Sequence, residues 1–185
     1  MDDKAIISLL FERSENALTA IQSKYGRLCS KIAGNILNNM SDAEECVNDT
    51  YLGVWNSIPP NRPDNLMAYV CRITRNLAIK RYHSNTAAKR NSHYDVALEE
   101  LDECLAGSAS PEEEVVAGEL TKAIEGFLDG LKQTDRVIFM RRYYFSDSYE
   151  AIADVTGLSA KNVSVRLTRI RSRLREYLTE GGYIL

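Results

Sequence analysis

From Lys161 to Arg175 every charged side chain is basic: Lys161, Arg166, Arg169, Arg171, Arg173 and Arg175. At neutral pH such a row does one kind of chemistry, the neutralisation of anions, and its density suits a nucleic-acid backbone. A second basic group comprises Arg72, Arg75, Lys80 and Arg81, with Asn76 among them and Tyr69 and Tyr82 beside them. Cations interleaved with rings fit phosphates and unstacked bases. The opposite sign is gathered between Lys31 and Arg62, where every charge is acidic: Asp42, Glu44, Glu45 and Asp49. With Tyr51 and Trp55 close by, these acids make a charged and aromatic docking surface for a protein partner.

Catalytic chemistry has much less to work with. The four cysteines, Cys29, Cys46, Cys71 and Cys104, stand 17, 25 and 33 residues apart, too far for a paired-cysteine metal or redox motif. His83 and His93 lie in a polar stretch without a partner motif. There is no Gly-rich phosphate loop, no His-Glu-x-x-His and no Ser/His/Asp order. No turnover, metal or cofactor is expected. No apolar run is long enough to span a bilayer, and the start, MDDKAIISLL, has acids where a secretory signal carries its basic end. A cytoplasmic protein with reduced thiols and no membrane insertion is expected.

The elements that position these residues follow from composition and period. With 185 residues, 44% of them hydrophobic, and only 10 Gly and 4 Pro, the chain supports a packed, helical fold. Residues 83–117 carry 2 basic and 8 acidic side chains, against 10 and 9 before them and 11 and 9 after. An acidic stretch of low hydrophobicity between two periodic segments predicts two small helical domains, 1–84 and 111–185, joined by a flexible acidic linker, 85–110.

Leu18, Ile21, Tyr25, Leu28, Ile32 and Ile36 recur at helical steps. Ser41-Asp42-Ala43-Glu44 has the form of a capping box, with Ser41 as N-cap, and Val47, Tyr51, Val54, Trp55 and Ile58 continue the helix. SIPPNRPDN breaks it. A third helix starts at Leu66, with Leu66, Val70, Ile73 and Leu77 as its buried stripe and the basic group on its other side. Further on, Ser110-Pro111-Glu112-Glu113 reads as a helix start, and another helix is predicted over 137–144. The most specific pattern is DSYEAIADVTGLSAKNVSVRLTRIRSRLREYL. A short helix over 149–155 meets the turn Thr156-Gly157-Leu158, and Ser159 caps a longer helix whose buried stripe is Val163, Leu167, Ile170, Leu174 and Leu178. This is a helix-turn-helix by its spacing. Lys161, Asn162, Val165, Arg166, Thr168 and Arg169 fall away from the stripe, as a recognition helix requires.

These residues resemble the bacterial sigma-70 family, in particular its extracytoplasmic-function (ECF) class. DAEECVNDTYLGVWNSI is similar to the region 2.2 helix that docks on the β′ clamp of RNA polymerase, and NLMAYVCRITRNLAIKRY to regions 2.3 and 2.4. The C-terminal helix-turn-helix is similar to region 4.2. The resemblance implies a transcription initiation factor that binds core RNA polymerase through the β′ and β subunits. Asp42, Glu45, Asp49, Tyr51 and Trp55 would dock on the clamp. Tyr69, Arg72, Arg75, Asn76, Lys80 and Arg81 would open and hold the −10 element, with flipped bases entering pockets shaped partly by the loop 57–65. Ser159, Lys161, Asn162, Val165, Arg166, Thr168, Arg169 and Arg173 would face the −35 element, Arg166 and Arg169 toward phosphates or guanines and Asn162 toward base edges. The linker resembles the segment that family members thread through the polymerase, and an anti-sigma factor is an implied partner. The chain departs from the class at Tyr69, usually Trp; Ala151, usually Glu; Lys132, commonly Pro; and Lys161-Asn162, usually Gly-Thr. The alternative is a helix-turn-helix regulator acting without the sigma role, which binding to core polymerase would separate.

Overall fold

A computed structural model describes residues 1–85, 92–105 and 114–183. They fall into two units, Met1–Ser92 and His93–Leu185. The first holds α1 (Asp3–Phe11), α2 (Asn16–Leu37), α3 (Met40–Ser57) and α4 (Leu66–Ser84). The second holds α5 (His93–Leu105), α6 (Glu114–Asp129), α7 (Gln133–Phe139), α8 (Tyr149–Thr156) and α9 (Ala160–Glu180), with a π turn, Met140–Tyr144, continuing α7. The all-α, two-unit architecture is as the periodicity predicts.

In the first unit α2 is the central helix, touched by α1, α3 and α4. Ile21, Tyr25, Ile32 and Ile36 of its predicted stripe are buried, and Cys29 and Ala33 complete it. α1 is tied to it by polar contacts: Asp3 accepts from Lys24 Nζ at 2.7 Å and from the Tyr25 hydroxyl. These hydrogen bonds hold the Asp3 carboxyl below its ordinary range.

Two local predictions are corrected here. The capping box at Ser41 does not form. Asn38 takes a left-handed backbone, φ 48°, and Asn39 caps α3 by accepting from the Asp42 amide at 3.1 Å. Asparagine serves both positions because its short amide tolerates the left-handed turn and reaches the orphan amides. The buried stripe of α4 is rotated from the prediction, to Leu66, Val70, Cys71, Thr74 and Ala78, and leaves Ile73 and Leu77 half-buried. α4 packs against both α2 and α3, so its small side chains turn inward to let two backbones approach. Thr50 and Thr74 satisfy their buried hydroxyls on the carbonyls of Cys46 and Val70, at 2.8 and 2.9 Å. At Gly53 an added Cβ would lie 3.1 Å from Ile73 Cγ2, which marks the close approach of α3 to α4.

In the second unit Ile138, Ile152, Val163, Leu167, Ile170, Leu174 and Leu178 form the core with Phe127, Leu131 and Phe139. The helix predicted over 137–144 starts earlier, at Gln133, and its end winds as a π turn closed by Phe145 N–H to Met140 O at 3.2 Å. That extra residue per turn places Arg142 and Tyr143 both inward, a register that a helical period does not anticipate. The larger correction is to the flexible linker. Within 85–110, α5 is helical and packs on α9 and the π turn, with Ala97 in the core. Glu100 explains why an acidic segment docks there. Its carboxylate accepts from Arg142 Nη2 and Nε at 2.7 and 3.1 Å, Tyr149 at 2.7 Å, Tyr143 at 3.2 Å and Arg171 at 3.2 Å. The rest of the linker, 86–91 and 106–110, lies outside the described residues, as does the predicted helix start at Ser110-Pro111-Glu112-Glu113.

Candidate nucleic-acid interface

The helix-turn-helix is built from capped ends. Ser148 caps α8 by accepting from the Ala151 amide at 3.2 Å, and Ser159 caps α9 from the Asn162 amide at the same distance. Between them Gly157 takes φ 69°, where a side chain would be strained, and its N–H closes the end of α8 on the Ala153 carbonyl at 2.9 Å. Leu158 folds back onto the core, which includes the small Ala153. All five residues of the predicted α9 stripe are buried. The opposite face is therefore fixed: Lys161, Asn162, Val165, Thr168, Arg169 and Arg173 are exposed, and Ser159 stands exposed at its head.

Two arginines of the basic row are already engaged. Arg166 Nη1 lies 2.7 Å from Asp135 Oδ1, in the first turn of α7. Arg171 turns inward to Glu100 and to the Tyr143 hydroxyl, at 3.2 and 3.0 Å. Charge counting could not separate these from the outward cations, because their partners come from distant stretches of the chain.

On α4, capped by Asn65 on the Ala68 amide at 2.9 Å, the basic group also divides. Arg72 lies over the Tyr69 ring, 5.2 Å from its centre, so cation and ring form one unit. Asn76 and Lys80 are exposed and Arg75 is half-buried. Arg81 points elsewhere. Its Nη2 meets Glu45 at 2.7 Å and Asp49 at 3.7 Å, and its Nη1 donates to the Asp42 carbonyl at 3.3 Å. The acidic group of α3 surrounds it, through the Glu45 and Asp49 carboxylates and the Asp42 backbone. Arg81 holds the Glu45 carboxyl below its ordinary range by hydrogen bond and charge. Glu45 and Asp49 remain exposed beyond this contact, and Asp42 also accepts from Asn85 at 3.2 Å.

Tyr51 and Trp55 are half-buried along α3. Tyr51 lines a groove of about 620 Å³ with Gln22, Gly26, Arg27, Glu44 and Asn48. Trp55 is capped by Arg13, whose guanidinium lies 5.3 Å over the ring and donates to the Trp55 carbonyl at 2.6 Å. Arg13, Asp135 and Glu100 were not indicated by any local motif. Among the described residues no helix is long and apolar enough to cross a membrane.

Family models match both units. The one described as Sigma-70 region 2 matches residues 21–88, and the one described as Sigma-70, region 4 matches residues 121–174. The chain belongs to the sigma-70 family. Within that family it is of the ECF class. The probable RNA polymerase sigma factor RfaY of Xanthomonas campestris is 24% identical over 185 residues, 94% of this chain and 45% of that protein. The ECF RNA polymerase sigma factor SigE of Mycolicibacterium smegmatis is 25% identical over 150 residues, 81% of this chain and 57% of that protein. SigK of Mycobacterium ulcerans, also an ECF sigma factor, is 26% identical over 175 residues, 91% of this chain and 89% of that protein. The chain thus spans about half the length of RfaY and SigE. A solved structure of CnrH in complex with the cytosolic domain of CnrY aligns with a TM-score of 0.44 at 19% identity, covering 96% of this chain and 97% of that one.

Proposed function

We propose that this chain is a promoter-specific transcription initiation factor that recruits core RNA polymerase, reads the −35 element with α9 and opens the −10 element with α4. The observation that carries this is the pairing, in one chain and in the family's order, of the α3–α4 region with a capped helix-turn-helix. Asp42, Glu45 and Asp49 on α3, with Tyr51 and Trp55, dock on the β′ clamp, and Arg81 behind them holds two of the carboxylates in place. Tyr69 with its stacked Arg72 receives an unpaired base, while Arg75, Asn76 and Lys80 hold the strand that carries it. Ser159 and Lys161 approach the backbone at the head of α9, and Asn162, Val165 and Thr168 face base edges, where Val165 suits a thymine methyl group. Arg169 and Arg173 meet phosphates.

The protein acts in the cytoplasm beside the polymerase, binds no cofactor and catalyses nothing itself. An anti-sigma factor is its regulator in this reading. The test is run-off transcription with core polymerase on genomic fragments, with the start sites mapped. Initiation clustered downstream of a shared pair of elements is expected. Core polymerase that gains no promoter from the protein would refute the proposal.

A further inference from the structure

The sequence leaves Arg166 with two possible ligands, phosphate or guanine, and the ion pair to Asp135 separates them. The contact is monodentate, Nη1 to Oδ1 at 2.7 Å. It uses one of the five guanidinium donors, so the edge formed by Nε and Nη2 lies outside it. Asp135 is held more firmly than Arg166: its side chain is 16% exposed, against 41% for the arginine. It also sits in the first turn of α7, where the helix dipole favours an anion.

We infer that Asp135 is a positioning residue that commits Arg166 to guanine in the −35 element; this rests on the initiation-factor reading above. Three physical effects point the same way. An untethered arginine has many rotamers to lose on binding, and a fixed carboxylate has already narrowed them. The edge left outside the ion pair has the fork geometry that meets guanine O6 and N7. A carboxylate beside the guanidinium would repel a phosphate, whereas the edge of a neutral base carries no net charge to repel. Asp135 therefore orients the arginine and also screens out its less specific ligand.

The test uses holoenzyme assembled from core polymerase and the full chain, selecting a randomised −35 library with wild type, Asp135→Asn, Arg166→Ala and Arg166→Lys. Arg166→Ala is expected to lose a guanine preference at one position. Asp135→Asn, nearly the same shape without the charge, should lower that same preference about tenfold. With the repelling charge gone, Arg166 can reach a phosphate instead, so the salt dependence of promoter binding should steepen by up to one phosphate contact. Arg166→Lys keeps the ion pair without the fork and should lose the preference while the melting temperature holds. A merely structural Asp135 would instead lower the melting temperature and weaken every −35 sequence alike. That outcome, or an Asp135→Asn profile identical to wild type, overturns the inference while wild type retains its −35 preference. Wild-type holoenzyme that initiates nowhere would overturn the initiation-factor reading, and this inference with it.

Discussion

Ser146 takes the chain from the π turn to α8 through a left-handed backbone, φ 54°, with its hydroxyl buried and without a hydrogen-bond partner among the described residues. A Cβ in that region costs on the order of 1–2 kcal/mol, and a buried orphan hydroxyl adds to it. Ser146→Gly removes both and gives back part through the freer unfolded chain. The expected net gain is about 1 kcal/mol, seen as a melting transition several degrees higher. On the outward side of α9, Asn162 is exposed in the first turn, and an asparagine there has the groups to contact adenine bidentately. Asn162→Ala should change base preference at one −35 position, with a loss of roughly 1–3 kcal/mol in discrimination. Arg169→Ala should weaken all promoters equally. An unchanged profile for Asn162→Ala in a randomised −35 selection, at full activity, would show that α9 does not read DNA through that residue.

α5 is the element whose stability depends most plainly on one side chain. Burial alone would raise the Glu100 pKa, but hydrogen bonds from Arg142 and Tyr149, with the charges of Arg142 and Arg171, outweigh it and leave it lowered. A carboxyl whose pKa is lower folded than unfolded takes up protons on unfolding, so stability rises with pH through that window. The contribution is complete above the ordinary value of 4.5 and is lost as pH falls through the lowered one. Glu100→Ala leaves the buried Arg142 without its carboxylate and should cost about 3 kcal/mol. Urea titrations followed by circular dichroism between about pH 3 and pH 6 should show a flatter pH dependence in the variant than in wild type. An equal slope in both would remove Glu100 from the account.

The same helix shows where sequence reading stops. The stripe, cap and turn of α8 and α9 were legible because each depends on residues within a few positions of one another. α5 was not, since Arg142 and Arg171 lie 42 and 71 residues further along and nothing local distinguishes Glu100 from a solvated acid. The rotated stripe of α4 escaped for a related reason: two neighbouring helices, rather than its own hydrophobicity, choose which small residues turn inward. At the candidate sites the residue types were legible, while their pairing was not. Arg81 with Glu45, and Arg166 with Asp135, look like independent charges until the fold brings them together.

For the whole molecule, a net charge of −3 with segregated signs means that attraction to DNA is local and weak over the full surface. The free protein should bind promoter duplex poorly at physiological salt, and tight, specific binding should appear only with core polymerase. Specific binding by the chain alone in a gel-shift titration would favour the regulator acting without a sigma role. The first unit also contains its own stopwatch. Cys29, Cys46 and Cys71 are buried on three different helices, and burial pushes the Cys46 and Cys71 thiols up to about 11. A thiol-specific reagent near neutral pH can reach them only when those helices part, so labelling counts openings of the bundle one molecule at a time. In a Cys104→Ser background the three should react slowly and together, on the timescale of cooperative opening. One thiol reacting well ahead of the other two would mean that a single helix leaves first, and the position modified would name it.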